Sequence, residues 1–356
     1  MELINRLRQS LQDQNLDVLL VTNVQNRAYL SGFTGSAGWL LISQDRADLL
    51  TDFRYYEQAE QQAPNFNLIK QEKNLSNTLK NELAQADFKR LGFEQEHMSY
   101  ALATDLIKEN SQVEFVGVSH LVETQRTVKS SEEVEKMQKA ANISEACFAH
   151  ILGFIRPGIK EVEVAIEMER YMRSQGAEAL AFESIVASGP RSSLPHGRPT
   201  ERVLEEGDFI TLDFGAKYGG YCSDMTRTMV IGKASEKQKK IYNIVLEAHL
   251  KALAAVKPGP LGKDIDKIAR DVISEAGYGE YFGHGLGHGV GRNVHEMPSV
   301  GQAGNMALAS GHVITIEPGI YLPNWGGVRI EDMVLVTEDG YQNFNSSSKE
   351  LIELEV

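Results

Sequence analysis

The sequence predicts an α+β protein of two domains, an α/β N-terminal domain followed by a larger domain with pseudo-twofold symmetry. Three observations lead to this prediction. The chain has 356 residues, which is more than one ordinary hydrophobic core requires. Short apolar runs alternate with helical patterns in its first third, and an internal repeat occupies much of the remainder. We expect residues 1–127 and 128–356 to form the two domains.

The first third has the pattern of an α/β domain. Apolar runs bounded by polar or glycine residues predict buried strands at 17–22, 38–43 and 47–52. The stretch 74–86 predicts a helix and begins with an asparagine that can cap its first turn. The polar stretch 123–133 lacks apolar periodicity and leads into a long amphipathic helix with a serine cap. The domain boundary is therefore expected there.

The composition is that of a globular protein and excludes several functional classes. A net charge of −13 argues against a nucleic-acid surface, which needs a dense basic face. The first residues form an amphipathic pattern rather than a signal peptide, and no later stretch approaches ~20 apolar residues. Cys147 and Cys222, both expected to be small buried residues, imply no disulfide framework. We expect a cytoplasmic enzyme that binds neither nucleic acid nor membranes.

The repeat in the second domain places acidic residues at equivalent positions. Each copy has a Pro-Gly turn, a helix and a glycine that can end the helix. Three pairs of segments correspond: 155–182 with 256–282, 204–215 with 308–319, and 219–224 with 326–331. This alignment pairs Asp213 with Glu317 and Asp224 with Glu331.

The four paired acids predict a metal site. In each half the first acid closes a β-branched run and the second follows a Gly-Gly turn, which predicts two hairpins. If the halves pack about a pseudo-twofold axis, all four carboxylates converge and repel one another unless cations neutralise them. A single aspartate at a strand end is usually a turn former, but four at equivalent positions favour two divalent ions.

A glycine-rich segment contributes imidazoles to the same half of the chain. Residues 283–296, "GHGLGHGVGRNVHE", contain three histidines. Glycine lets the backbone approach a ligand closely, and imidazole is a common metal ligand. The chain lacks a G-x-G-x-x-G match in this segment, the H-E-x-x-H helix and the G-x-S-x-G elbow. Nucleotide binding, a zincin helix and a serine nucleophile are therefore unsupported.

Taken together, these motifs resemble a known family. The stretches "LDFGAKYGGYCSD", "HGLGHGVG", "ITIEPG" and "GVRIED" closely resemble the metal centre of the pita-bread peptidases, which include methionine aminopeptidase, prolidase and aminopeptidase P. The stretches "NRAYLSGFTGSAGWLLIS" and "LLTDFRYYEQA" resemble the creatinase-type N-terminal domain of the proline-specific members. "GFTGSAG" and "TDFRYYEQA" are more similar to aminopeptidase P than to prolidase. The resemblance implies a pita-bread catalytic domain and a Xaa-Pro aminopeptidase.

The resemblance also assigns roles to individual residues. It implies five metal ligands, namely Asp213, Asp224, His288, Glu317 and Glu331. His284 matches a histidine on the leaving-group side, His295 one that contacts the scissile peptide, and His196 one that borders the substrate. Arg329 matches an arginine behind the metal ligands that also helps to bind substrate.

The ligand set implies a hydrolytic mechanism. A metal-bridging hydroxide would attack the carbonyl carbon of the residue before proline, because metal binding lowers the pKa of water toward neutrality. His295 would stabilise the oxyanion, and Glu317 would carry a proton from the water to the proline nitrogen. The free amino terminus would bind near Asp213, so that one residue is removed. Mostly oxygen ligands with one imidazole favour Mn²⁺, while Co²⁺ and Zn²⁺ also fit.

The sequence is compatible with several other functions. A Xaa-Pro dipeptidase would need a cation for the substrate carboxylate, and Arg198, Arg292 and Arg329 are the candidates in the second domain. A non-catalytic pita-bread binding module and a metal-free creatinase-type hydrolase would both lack the acid set that this chain retains. The resemblance suggests a homodimer, with a proline-containing peptide as substrate.

Overall fold

The computed structural model describes residues 2–355 and contains two compact units that divide between Arg126 and Thr127. Both units combine helices with sheets, and the predicted α+β class is confirmed. Among the described residues, no helix has both the length and the apolar character that crossing a membrane requires.

The N-terminal unit is built around one mixed six-stranded sheet, in the order β4-β3-β2-β1-β5-β6. Its helices are α1 (Glu2–Asp13), α2 (Val24–Ser31), α3 (Tyr56–Gln62), α4 (Leu75–Gln85), α5 (Tyr100–Glu109) and α6 (Leu121–Thr127). Its strands are β1 (Val18–Val21), β2 (Trp39–Ser43), β3 (Ala47–Thr51), β4 (Asn67–Lys70), β5 (Arg90–Glu94) and β6 (Glu114–Val118). The central strand β1 runs antiparallel to β2 and parallel to β5.

The predicted elements of this unit are confirmed, with one difference. The three predicted strands correspond to β1, β2 and β3, and all four residues of β1 are buried, as their apolar run requires. The Asn74 side chain caps α4 by accepting a hydrogen bond from the Asn77 amide at 2.8 Å. Helix α6, however, occupies part of the polar stretch that showed no periodicity. Seven residues make only two turns, which is too short for a 3.6-residue repeat to be visible.

The C-terminal unit contains two larger sheets, with the orders β20-β12-β9-β8 and β14-β13-β15-β18-β19. Its helices are α7 (Ser131–Leu152), α8 (Glu161–Ser174), α9 (Glu236–Ala254) and α10 (Gly262–Glu275). Its strands are β7 (Ala179–Leu180), β8 (Ile185–Ser188), β9 (Phe209–Phe214), β10 (Ala216–Tyr218), β11 (Tyr221–Cys222), β12 (Met225–Ile231), β13 (Gly287–Gly289), β14 (Glu296–Val300), β15 (Val313–Ile316), β16 (Gly319–Leu322), β17 (Gly326–Arg329), β18 (Asp332–Val336), β19 (Tyr341–Asn343) and β20 (Ile352–Leu354).

Capping and burial explain why the helices of this unit lie against the sheets. Helix α7 begins with the predicted serine cap, in which Ser130 and Glu133 exchange hydrogen bonds. The apolar faces of α9 and α10 pack against buried residues of β15, β17 and β18. Cys147 and Cys222 are both buried, as predicted, and neither takes part in a disulfide. The helices therefore pack on the faces of the sheets, and the ends of the strands are not covered by this packing.

The repeat appears as two equivalent pairs of antiparallel strands. Strand β9 pairs with β12, and β15 pairs with β18. Between the partners of each pair the chain forms a small hairpin, β10–β11 in the first half and β16–β17 in the second. Gly219 and Gly220 turn the first hairpin with φ angles of 57° and 80°, which side chains disfavour. An isolated bridge between Thr226 and Glu331 joins the two halves.

Candidate active site

The four paired acids lie at the ends of the paired strands. Asp213 is the penultimate residue of β9, and Asp224 directly precedes β12. In the second half, Glu317 directly follows β15 and Glu331 directly precedes β18. The bridge between Thr226 and Glu331 brings these strand ends together, and all four carboxylates line one cavity of about 590 Å³.

His288 lies among these acids and is close enough to share a metal ion with them. One ligand atom each from Asp224, His288 and Glu331 lies within 4.8 Å of the other two. The His288 Nε2 atom is 3.6 Å from Asp224 Oδ2 and 3.4 Å from Glu317 Oε1. Metal–oxygen bonds of about 2.0–2.2 Å place two ligands of one ion about 3 to 4 Å apart. The spacing therefore fits a cation held between these groups.

The protonation of these groups also fits metal binding. Burial, together with the charges of the neighbouring carboxylates, raises the pKa of Asp224 and of Glu331 well above the ordinary range. Burial raises the pKa of Glu317 to about 8 and lowers that of His288 to about 4. The Gly289 carbonyl, 3.1 Å away, accepts from His288 Nδ1, so Nε2 is the free nitrogen facing the acids. Divalent ions would remove the repulsion that keeps protons on these carboxylates.

Asp213 differs from the other three acids because an arginine contacts it. Arg329 Nη2 donates to Asp213 Oδ2 at 2.6 Å, while Asp213 Oδ1 is buried without a hydrogen-bond partner among residues 2–355. A buried carboxylate oxygen without a donor is costly. An orphaned oxygen that shares its cavity with Asp224, Glu317, Glu331 and His288 is a fitting ligand for a hard cation.

Arg329 also connects Asp213 to a residue that the sequence did not indicate. Arg329 Nη1 donates to the Tyr321 hydroxyl at 2.9 Å, and this hydroxyl lies 2.8 Å from His284 Nε2. His284 Nδ1 donates to the Gly285 carbonyl at 2.8 Å, so its Nε2 accepts from Tyr321. Tyr321 follows Glu317 by four residues on β16. Only the folded hairpin shows that it reaches Arg329, since no sequence motif marked it.

All nine predicted site residues line the same cavity: His196, Asp213, Asp224, His284, His288, His295, Glu317, Arg329 and Glu331. The His288 and His295 rings meet edge to face with centroids 4.3 Å apart. Burial lowers the pKa of His295, which favours the neutral imidazole. The further candidate Arg198 also lines the cavity, whereas Arg292 is absent from that lining and has its guanidinium over the Tyr221 ring.

The glycines of the histidine segment also meet a packing requirement. The sequence predicts close approach of this backbone to a ligand, and at Gly287 and Gly289 the structure shows close approach to neighbouring strands. A Cβ at Gly287 would lie 2.0 Å from the Thr315 carbonyl oxygen, and one at Gly289 would lie 2.2 Å from that of Met297. These glycines therefore allow β13 to pack closely between β14 and β15.

Comparison with known proteins identifies the family of this chain. Residues 135–338, more than half of the chain, match Metallopeptidase family M24. The chain belongs to this family. Residues 4–128 of this M24 peptidase match the Creatinase/Prolidase N-terminal domain. The predicted family and its two-domain pita-bread fold are confirmed, and so is the prediction of a metal-dependent peptidase.

Similar proteins cover nearly the whole chain. An uncharacterized peptidase of Bacillus subtilis, YqhT, is 47% identical over 351 residues, which is 99% of each chain. The structure of a Xaa-Pro dipeptidase from Bacillus anthracis matches with a TM-score of 0.98 at 46% identity and 99% coverage of each chain. That of an X-Pro aminopeptidase from Thermotoga maritima matches with a TM-score of 0.90 at 40% identity and 98% coverage of each chain.

Proposed function

We propose that this M24 peptidase removes the N-terminal residue from peptides that have proline in the second position. One observation carries the proposal: Asp213, Asp224, Glu317 and Glu331 share a cavity with His288 and three further imidazoles. The names of two similar structures, a Xaa-Pro dipeptidase and an X-Pro aminopeptidase, support the choice of proline. Proline suits a dedicated enzyme because its tertiary amide lacks an N–H and its ring fixes φ.

The donor set supports two divalent ions as cofactor. The proposed ligands are Asp213, Asp224, His288, Glu317 and Glu331. Four carboxylates with one imidazole are a mostly hard set, which favours Mn²⁺ and also accommodates Co²⁺ or Zn²⁺. When bound, such ions lower the pKa of a water molecule and polarise a carbonyl group.

The chain's own residues would supply proton transfer and orientation. Glu317 would accept the proton of the attacking water and return it to the proline nitrogen, which must be protonated to leave. His295, a neutral imidazole at the cavity wall, would donate a hydrogen bond to the carbonyl oxygen as negative charge develops there. His196 would border the bound substrate, and His284 would lie on the leaving-group side.

Arg329 and Tyr321 would act through their neighbours. The buried guanidinium binds Asp213 Oδ2 and so fixes the orientation of this carboxylate. The other oxygen, Oδ1, has no hydrogen-bond partner among the described residues and would be available to a metal ion. The Tyr321 hydroxyl connects the same guanidinium to His284. Through this chain of hydrogen bonds, Arg329 would orient one metal ligand and one substrate-facing imidazole together.

Dipeptides are a second candidate substrate class, and one observation favours them. Arg198 lines the cavity and its side chain is 78% exposed, so a cation is available to a substrate carboxylate. An enzyme that acts on free Xaa-Pro must recognise that carboxylate immediately beyond the proline. An aminopeptidase would instead accept longer chains.

A comparison of peptides tests the proposed reaction and its length preference. Ala-Pro-Ala, Ala-Pro and Ala-Ala-Ala would be compared at one pH with saturating Mn²⁺. We expect kcat/KM for Ala-Pro-Ala to exceed that for Ala-Pro by at least about tenfold, or ~1.4 kcal/mol in transition-state binding. A preference for Ala-Pro would make the protein a dipeptidase. Equal cleavage of Ala-Ala-Ala would contradict the selectivity for proline.

The domain bounds, cellular location and oligomeric state of the enzyme are also proposals. We propose that residues 1–127 and 128–356 are its domains and that it is a cytoplasmic homodimer. The absence of a disulfide framework among its two cysteines supports a reducing compartment. Light scattering of the purified protein would measure the mass, for which the monomer value is 39.5 kDa.

A further inference from the structure

A pair of oppositely charged side chains lies in the wall of the cavity, apart from the proposed ligands. Arg198 Nη2 is 3.2 Å from Glu183 Oε2, and both residues line the cavity. Among the described lining residues, the other arginine is Arg329, which is only 3% exposed and already bound to Asp213. Arg198 is therefore the cation that a ligand entering from solvent can reach.

The main chain that carries Arg198 is held by a network of hydrogen bonds around the buried Glu161. Arg191 Nη2 donates to the Arg198 carbonyl oxygen at 2.6 Å, and Arg191 Nε donates to Glu161 Oε2 at 3.1 Å. Glu161 is fully buried and also accepts from the Thr200 amide at 3.0 Å and the Thr200 hydroxyl at 2.7 Å. The backbone is thus fixed within two residues of Arg198, and it carries His196 in the same loop. The Arg198 side chain itself remains exposed.

The present partner of Arg198 shows which ligand it suits. Glu183 places a carboxylate on the guanidinium, and a peptide C-terminus is the same chemical group. The Glu183 side chain is 62% exposed, so solvent and salt weaken the pair and little is lost when it opens. A substrate carboxylate could replace that of Glu183 without leaving a buried charge unpaired.

We propose that Arg198 binds the C-terminal carboxylate of short peptide substrates, and that Glu183 competes with the substrate for it. This inference rests on the proposed Xaa-Pro peptidase function and names the residue that would favour short substrates. A peptide with an amidated C-terminus has no carboxylate, so Arg198 would not strengthen its binding. The preference for the free acid over the amide is therefore the property that Arg198 and Glu183 should control.

The test measures KM for matched acid and amide peptides. Ala-Pro and Ala-Pro-Ala, each with a free or amidated C-terminus, would be assayed with the metal-loaded enzyme. The variants are Arg198→Gln, Arg198→Lys and Glu183→Gln. The matched control is Arg173→Gln, which removes an exposed arginine from a surface pair with Glu169, outside the cavity lining.

We expect the wild type to prefer the acid form of at least one peptide by roughly tenfold in KM, as a charge-assisted pair allows. Arg198→Gln should bring the acid-to-amide ratio close to one, and Arg198→Lys should keep part of the preference. Glu183→Gln should increase it, since a competitor and a repelling charge are both removed. Arg173→Gln should leave the ratio at the wild-type value.

The possible failures can be told apart. If the wild type cleaves no Xaa-Pro peptide, the proposed function is wrong. If it cleaves them with equal KM for acid and amide, or if Arg198→Gln leaves the ratio unchanged, the assignment of Arg198 is wrong and the function stands. A loop disturbed by the substitution would affect acid and amide alike, so it would also leave the ratio unchanged and count against the assignment.

Discussion

Asp213 and Glu317 occupy equivalent positions in the two halves of the repeat, but their carboxylates have different neighbours. Asp213 accepts a 2.6 Å hydrogen bond from the Arg329 guanidinium. Glu317 has only a long bond from the Thr315 hydroxyl, at 3.3 Å, and burial raises its pKa to about 8. One carboxylate is thus bound to a fixed cation, while in the metal-free protein the other keeps its proton to a higher pH than an ordinary glutamate does.

This difference shows how a duplicated scaffold acquires distinct roles. The strand pairs of both halves deliver acids to one place because their hairpins are equivalent. The proposed imidazole ligand, His288, lies on β13 in the second half. The halves therefore share the geometry of the backbone and differ in the side chains that set protonation and orientation.

Replacing Glu317, the proposed proton carrier, should have the largest effect. Glu317→Gln keeps the size of the side chain and removes its ability to accept a proton, so we expect kcat to fall by about a thousandfold or more. The assay is Ala-Pro-Ala hydrolysis at saturating Mn²⁺. Asp213→Asn provides the comparison from the other half. Activity of Glu317→Gln within tenfold of the wild type would contradict the proton-transfer role.

Variants of two histidines should distinguish a loss of metal binding from a loss of transition-state stabilisation. His288→Ala should lower both the metal content and the rate, because it removes a ligand. His295→Ala should retain the metal and lower kcat by about a hundredfold, because it removes a hydrogen-bond donor. Metal analysis and kinetics on the same samples provide the measurement. Equal metal content and similar rates in the two variants would mean that His288 is not the ligand.

Glu317 should also make the stability of the metal-free protein depend on pH. Its folded pKa of about 8 lies above the ordinary value of 4.5, so stability is fully present below pH 4.5 and is lost as the pH rises toward 8. Burial lowers the pKa of His288 to about 4, which opposes this trend only below the ordinary value of 6.5. We expect the free energy of unfolding to fall between pH 6.5 and 8, by about 2 kcal/mol for Glu317 alone.

Denaturant unfolding at a series of pH values would measure this dependence. Saturating Mn²⁺ should abolish it, because the metal holds the carboxylates ionised in the folded state. Glu317→Gln should make the free energy of unfolding depend less steeply on pH. Asp224 and Glu331, whose pKa values are also raised, should account for the dependence that is left. Stability of the metal-free protein that stays constant or rises over this range would argue against the raised pKa.

The smallest expected effect concerns the link between Asp213 and His284. Tyr321→Phe removes the hydroxyl that accepts from Arg329 and donates to His284, and leaves the ring in place. We expect a roughly tenfold loss of kcat with unchanged metal content, as is typical when a supporting hydrogen bond is lost. A loss as large as that of Glu317→Gln would instead place Tyr321 in direct contact with the reacting atoms.

The repeat explains why so much of the site could be predicted from the sequence. Equivalent segments imply equivalent hairpins, and this symmetry was enough to predict that Asp213, Asp224, Glu317 and Glu331 lie together. Strand positions in the N-terminal unit were likewise visible, because short apolar runs bounded by polar or glycine residues are typical of buried strands.

The remaining features depend on three-dimensional contacts that leave no periodic signal. The role of Tyr321 follows from a hydrogen bond to Arg329 across the β16–β17 hairpin, and a tyrosine on a strand is by itself common in sequence. The need for glycine at Gly287 arises from the Thr315 carbonyl of a neighbouring strand. The sequence shows that glycines are concentrated in this segment, and only packing shows why.

We propose that acids from both halves, with His288, form a metal centre on which peptidase activity depends. Titration of the metal-free protein with Mn²⁺ tests it most directly, with bound metal and the rate of Ala-Pro-Ala hydrolysis measured on the same samples. We expect negligible activity without metal and a rise that reaches its plateau as two ions bind per chain. Full activity in protein shown to be free of metal would contradict the claim.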